Sequence, residues 1–68
     1  MSATAIVNGE RIKALRKAKF ITQSALADMV GIRPESLCRL EKSKPAKFST
    51  ILKLAEVLGV EPSHLISK

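Results

Sequence analysis

The side chains of this chain that can do chemistry are above all cations. Arg11, Lys13, Arg16, Lys17 and Lys19 form one cluster, and Arg33, Arg39, Lys42, Lys44 and Lys47 form a second, diluted by Glu35 and Glu41. From Phe48 onward Lys53 and Lys68 balance Glu56 and Glu61. Either cluster alone reads equally well as a solvated helix face. Two of them beside a neutral final third point to a directed surface. Twelve Lys and Arg against six Asp and Glu give a net charge of +6. Such a balance favours polyanions: nucleic acid or an acidic membrane surface.

Other chemistries lack their parts. Cys38 is the single cysteine, so the chain has no internal disulfide and no zinc site built from several cysteines. As a nucleophile it has no base beside it, because the single histidine, His64, falls in the last segment. Redox sensing at Cys38 is a minor reading, and His64, beside Leu65, reads as a surface or packed histidine before a ligand. There is no acid–base pair, nucleophile set, phosphate loop or metal cluster. The expectation is a protein that is not an enzyme, with no catalytic residues, no cofactor, no metal and no small-molecule substrate. The first ten residues carry only Glu10 as a charge, unlike the basic start and apolar run of a secretory signal. No apolar stretch approaches the roughly 20 residues of a membrane span. These features predict a soluble, cytoplasmic protein with no membrane partner.

A length of 68 residues allows one domain, and a chain of that size buries only about 60% of its unfolded surface. Hydrophobic residues at 46% and charged residues at 26% mark a globular composition rather than a disordered one. Residues 1–7 are set apart as an N-terminal tail, and residues 8–68 as the domain.

Turn signals at Gly9, Gly31-Ile32, Lys44-Pro45 and Gly59-Val60 divide the chain into pieces of helical length, and none shows the strict alternation of a strand. Ile12 and Leu15, with Ala14 and Ala18 beside them, predict a basic amphipathic helix from Asn8 to Lys19, capped by Asn8. Thr22 caps a second helix over Gln23 to Val30, and Ile21 and Leu26 have the spacing of a hydrophobic staple. It buries Leu26, Ala27 and Val30, and Gly31 ends it in the left-handed conformation. Pro34 opens a third helix reaching about Lys42, with Leu37 and Leu40 inward; Arg33 is a poor cap for it. Phe48, Ile51, Leu52, Ala55 and Leu58 form the apolar stripe of a fourth, stopped by Gly59. Pro62 opens a short last turn or helix whose Leu65 and Ile66 close the core. The sum is an all-α, compact five-helix domain.

The two middle helices, joined by a glycine turn, match a helix-turn-helix unit, in which one helix props a second that projects into a DNA major groove. A two-helix corner in an ordinary bundle has the same spacing. Gly9-Glu10-Arg11-Ile12, Leu15-Arg16, Ile21-Thr22-Gln23, Leu26-Ala27, Gly31-Ile32, Leu37, Arg39-Leu40-Glu41 and the run Leu52 to Val60 occur in order. Over about Asn8 to Ile66 the chain resembles the helix-turn-helix domain of phage repressors, Cro proteins and small bacterial regulators. The resemblance implies a lambda-repressor-like five-helix fold and binding of double-stranded DNA. Arg33 stands where that family usually has a capping Ser or Thr, Phe20 where a Gly is frequent, and Ser43 in place of a common Gly. The loop after Ser43 is about one residue short.

The resemblance further implies that Gln23, at the start of the second helix, grips a DNA phosphate with the nearby amides, and that Arg16 pairs with Glu41. Pro34, Glu35, Ser36 and Arg39 lie on the outward face of the third helix and are the candidate base readers. The Arg39 fork matches O6 and N7 of guanine; a phosphate contact, or an ion pair with Glu35 four residues earlier, is an equal alternative. Glu35 can accept from cytosine N4 or orient Arg39, Ser36 can meet any base or a phosphate, and Pro34 offers only an apolar contact. Arg33, Lys42, Lys44 and Lys47 flank that helix as phosphate contacts, which set register rather than sequence. The function expected is a transcriptional regulator, a repressor, acting as a homodimer at least on DNA, with Val57, Val60, Leu65 and Ile66 as candidates for the pairing surface. An antitoxin or protein-interaction module on the same fold is the rival. RNA or single strands are disfavoured, since they need stacking aromatics and the chain has two Phe and no Tyr or Trp.

Overall fold

The computed structural model describes residues 4–66. The first three residues of the expected tail and the last two of the expected domain lie outside that range. Asn8 starts the first helix, α1 (Gly9–Ala18), where its Oδ1 accepts the Arg11 amide at 3.1 Å. Thr22 starts α2 (Gln23–Val30) in the same way, its Oγ1 accepting from Ala25 N at 3.1 Å. Each cap satisfies one of the amides that a helix start leaves free. Gly31, at φ 84°, ends α2, and its amide donates back to Ala27 O. Pro34 then opens α3 (Pro34–Leu40), and Gly59, at φ 73°, ends α4 (Phe48–Leu58).

The architecture differs from five helices. Among the described residues there are four α-helices, a 3-10 turn over Pro62–Leu65, and a two-stranded sheet. The last segment has Pro62 at its start and no side-chain cap, and four residues are too few to propagate i→i+4 hydrogen bonding. The strands are β1 (Thr4–Ile6) and β2 (Pro45–Lys47), antiparallel, with Ala5 opposite Ala46. At three residues each they are too short to show a period of two. Pro45 lacks an amide but sits at the first position of its strand, where a proline is tolerated. The chain reaches β2 early because α3 stops at Leu40 rather than Lys42, and Ser43 turns it at φ 64°.

Part of the segment set apart as a tail packs into the domain. Val7 is fully buried, bridges to Ile66, and is followed by an Asn8 amide that donates to Leu65 O at 2.7 Å. The core gathers Val7, Ile12, Leu26, Leu37, Ile51, Leu54 and Leu65 within an envelope of 34 × 21 × 19 Å. On α4 the inward stripe is Ile51, Leu54, Ala55 and Leu58, while Leu52 is 57% exposed and Phe48 is half exposed. Ile51, Ala55 and Leu58 belong to both the expected stripe and the observed one. Their spacing alone does not say which flank is covered, so Leu52 and Leu54 exchange places.

Gly9 is where α1 meets the end of α3. A Cβ there would overlap the backbone of Glu41 and Leu40. Its amide, free at the helix start, donates to Ser43 Oγ at 3.1 Å.

Candidate nucleic-acid interface

α3 is held by its inner side and exposed on its outer one. Leu37 and Leu40 are buried against the core, and Pro34, Glu35, Ser36 and Arg39 all stand in solvent. Arg33 adopts an extended conformation before Pro34 and makes no capping hydrogen bond. Cys38 is half-buried beside this face. Among the described residues no ion pair joins Arg39 to Glu35. Its guanidinium has no hydrogen-bond acceptor among the described residues.

An open groove of about 460 Å³ runs between α3 and the segment carrying β2 and the start of α4. Ser36 and Arg39 line one side and Lys44, Lys47 and Thr50 the other. The fold thus brings two candidate base readers and two candidate phosphate contacts to one surface. Arg33 and Lys42 are exposed but outside the groove's lining. Thr50 is a member the sequence reading missed. Its one signal was a hydroxyl in the first turn of a helix that follows Lys47, which does not indicate that β2 folds that turn against α3.

Behind this face sits a polar joint. Arg16 Nε donates to Glu41 Oε2 at 2.6 Å, Arg16 Nη2 to Glu41 Oε1 at 3.3 Å, and Arg16 Nη1 to the Ile21 carbonyl at 2.8 Å. Gln23 Nε2 donates to Glu41 Oε1 at 2.8 Å. The amide expected to grip a phosphate is thus directed at the Glu41 carboxylate. Burial pushes the Glu41 pKa up, but the hydrogen bonds from Arg16 and Gln23 and the charges of Arg16 and Lys13 outweigh it, so the carboxyl ends below its ordinary 4.5. One carboxylate in this way ties α1, α2 and the end of α3 together.

Among the described residues no group of three or more His, Cys, Asp or Glu side chains is placed to hold a metal ion. Exposed His64 lies far along the chain from Cys38; its carbonyl accepts from Arg11 Nη1 at 3.2 Å and its amide donates to Glu61 O at 2.9 Å. The arrangement offers cations and hydroxyls at a convex helix and its adjoining groove, suited to holding phosphates and base edges.

No curated protein matches the sequence. Solved structures do. The P22 c2 repressor, determined in complex with synthetic operator 9T in the presence of Tl+, is 34% identical, with 90% of this chain and 94% of that one covered at a TM-score of 0.85. The restriction-modification controller protein C.AhdI from Aeromonas hydrophila is 33% identical over 82% and 86% of the two chains, at a TM-score of 0.76. The N-terminal DNA-binding domain of the master biofilm regulator SinR from Bacillus subtilis is 29% identical over 88% and 90%, at a TM-score of 0.76. A family model described as helix-turn-helix matches residues 12–65. On that match, and with the α2–Gly31–α3 geometry in place, the chain belongs to the helix-turn-helix family, in the group of phage repressors and Cro-type regulators.

Proposed function

We propose that the chain is a sequence-specific double-stranded-DNA-binding transcription regulator, a repressor, that lays α3 in the major groove. The observation that carries this is the exposure of Pro34, Glu35, Ser36 and Arg39 together on a helix anchored by Leu37 and Leu40. Arg39 reads a base. Lys44 and Lys47, across the groove from it, hold the adjoining phosphates, and Arg33 and Lys42 add charge at the flanks. Gln23 takes part at the start of α2, where free amides and the helix dipole favour an anion, and Arg16 and Glu41 hold the angle between the helices. The likeness to a repressor bound to its operator supports the reading. No helix of the described residues is long and apolar enough to cross a membrane.

A single short helix reads a few base pairs, too few to single out one site among roughly 10⁶ or more competitors in a genome. Two copies on half-sites one helical turn apart, roughly 34–36 Å, double the site. Selection of bound duplexes from a random pool tests the whole reading. The expected result is a palindromic consensus. Each neutralised phosphate contributes about −0.9 to the slope of log affinity against log salt, so a slope steeper than about −2 is expected. A flat salt response, or a pool that never enriches, rejects it.

A further inference from the structure

Phe20 is the most exposed large apolar side chain among the described residues, at 97%, where Ile6, Met29, Phe48 and Leu52 are each about half exposed. Val57, Val60, Leu65 and Ile66, the sequence's candidates for pairing two copies, are instead buried or partly buried against the core. Phe20 also holds a left-handed backbone, at φ 57°, which an L-residue with a bulky side chain enters only at a cost. The helix end explains that backbone but not the ring. The Phe20 amide donates to Lys17 O at 2.9 Å and the Ile21 amide to Arg16 O at 3.2 Å. This pair of hydrogen bonds closes a helix on a left-handed residue, usually glycine. Glycine would close α1 here without strain, yet the ring is held out in water. Strain of this kind, in a residue the core does not use, is characteristic of functional positions.

The chain around the ring is cationic. Lys19 precedes it, Lys17 stands three residues before it, both are exposed, and no Asp or Glu occurs between Glu10 and Asp28. The corner also adjoins the end of α3. Arg16 binds both the Ile21 carbonyl and Glu41, Gln23 binds Glu41 as well, and the charge of Lys13 reaches the same carboxylate. We infer that Phe20, with Lys17 and Lys19, extends the DNA interface beyond α3, the ring lying on a deoxyribose of the strand that passes the start of α2. The inference deepens the DNA-binding reading and rests on it. A DNA strand alternates anionic phosphates with sugars whose C–H faces are apolar, and a phenyl ring among lysines complements both parts. Such a contact adds affinity and length to the site without reading bases. An acidic membrane surface would also attract the lysines, but a single ring is a slight anchor there, since lasting attachment takes more buried apolar area.

Fluorescence anisotropy of the full chain tests this on the duplex that selection yields, in two lengths: trimmed to the consensus, and extended at each end by half a helical turn, about 5 base pairs. Phe20→Gly is the main variant, because glycine fits the left-handed position and its loss of binding cannot come from unfolding. The wild type is expected to bind the extended duplex about fivefold tighter than the trimmed one, the effect of partly covering one phenyl ring. Phe20→Gly and Phe20→Ser lose most of that advantage and match the wild type on the trimmed duplex, while Phe20→Tyr keeps it. Lys19→Ala makes the salt slope on the extended duplex shallower by about 0.9. Hydroxyl-radical cleavage, which attacks exposed sugars, shows protection beyond the consensus with the wild type and not with Phe20→Gly. Equal affinity of wild type and Phe20→Gly for the extended duplex, or equal protection of its sugars, overturns the inference. So does binding to phosphatidylglycerol vesicles that Phe20→Gly loses while its duplex binding is unchanged, which would give the ring to a membrane. A wild type that binds the trimmed duplex and gains nothing from the added flanks rejects this contact alone. One that binds no duplex of either length rejects the DNA-binding reading together with it.

Discussion

Arg16 and Glu41, 25 positions apart, are joined by two hydrogen bonds, and the same guanidinium caps the Ile21 carbonyl ahead of α2. Their side chains are 10% and 4% exposed. A pair this well covered is costly to break from one side, because the remaining charge stays out of water. Glu41→Ala is expected to destabilise the domain by about 3 kcal/mol. Arg16→Lys keeps the charge but loses the fork that reaches three acceptors, so it should also destabilise. In a domain of this size about 1 kcal/mol shifts Tm by about 4–8 °C. Thermal unfolding followed by circular dichroism measures both, and an Arg16→Lys variant that melts with the wild type would deny the fork its role.

The depressed pKa of Glu41 makes the joint sensitive to acid. A carboxyl whose pKa is lower when folded contributes stability that is fully present above its unfolded pKa. That contribution is lost as pH falls from about the ordinary 4.5 through the folded value. Stability should therefore decline below about pH 4.5 more steeply in the wild type than in Glu41→Gln, which carries no titrating group there. Urea unfolding across the acid range gives the two slopes, and parallel slopes would show that other carboxyls dominate.

At Gly9 the limit is space rather than backbone conformation. An added Cβ would meet the Glu41 and Leu40 backbone, whereas at Gly31, φ 84°, a Cβ meets nothing within 4 Å. Gly9→Ala is expected to cost at least about 1–3 kcal/mol, because backbone must shift to admit the methyl. Gly31→Ala should cost about 1–2 kcal/mol, from the left-handed conformation alone. Because Gly9 sits against the end of α3, its substitution should also lower DNA affinity in protein that remains folded. Gly31→Ala should lower it less. Equal effects of both on affinity would separate the α1–α3 contact from the orientation of α3.

Phe20 and Ser43 stand where the resembled family often has glycine, and both adopt positive φ, 57° and 64°. Phe20 is 97% exposed, so its ring contributes no packing to offset that conformation. Phe20→Gly should stabilise the domain by up to about 1 kcal/mol, the relief of left-handed strain less the added freedom of the unfolded chain. Ser43→Gly gains the same relief but removes the acceptor of the Gly9 amide, a loss of about 0.5–1.5 kcal/mol, so its net effect should lie near zero. Chemical denaturation of the two variants side by side tests this, and equal gains would mean that the hydroxyl contributes nothing.

What was legible in the sequence was local. Asn8, Thr22, Gly31, Pro34 and Gly59 act on their own turn of chain, and they set the start of α1, both ends of α2, the start of α3 and the end of α4 close to where the spacing puts them. The β1–β2 pairing joins Ala5 to Ala46 across most of the chain, and three-residue strands carry no periodicity to announce it. The exchange of Leu52 for Leu54 was hidden for a related reason, since the covered flank of α4 depends on where neighbouring elements lie. At the candidate site the charges of Arg39, Lys44 and Lys47 were readable, but their common groove with Thr50 was not, because β2 creates it. The Gln23–Glu41 hydrogen bond was likewise out of reach, as a polar side chain at a helix start has several possible partners and spacing does not rank them.

Arg39 and Lys44 line the same groove but belong to different elements, and the proposed interface gives them different work. Arg39 projects from the exposed face of α3 beside Ser36, where a helix in the major groove meets base edges. Lys44 precedes β2 outside that helix, where the proposal has it meet the sugar–phosphate backbone. A bidentate arginine–guanine contact discriminates against the wrong base by about 1–3 kcal/mol, roughly 5- to 150-fold in affinity. Arg39→Ala should therefore weaken the selected duplex by that range and a scrambled duplex far less, flattening the ratio between them. Lys44→Ala should weaken both alike and make the salt slope shallower by about 0.9, one phosphate's worth. Fluorescence anisotropy titrations of both variants on both duplexes, at several salt concentrations, give all of these quantities. Equal losses on the two duplexes for Arg39→Ala would move that side chain to the phosphate contacts and leave Ser36 and Glu35 as the readers to test next.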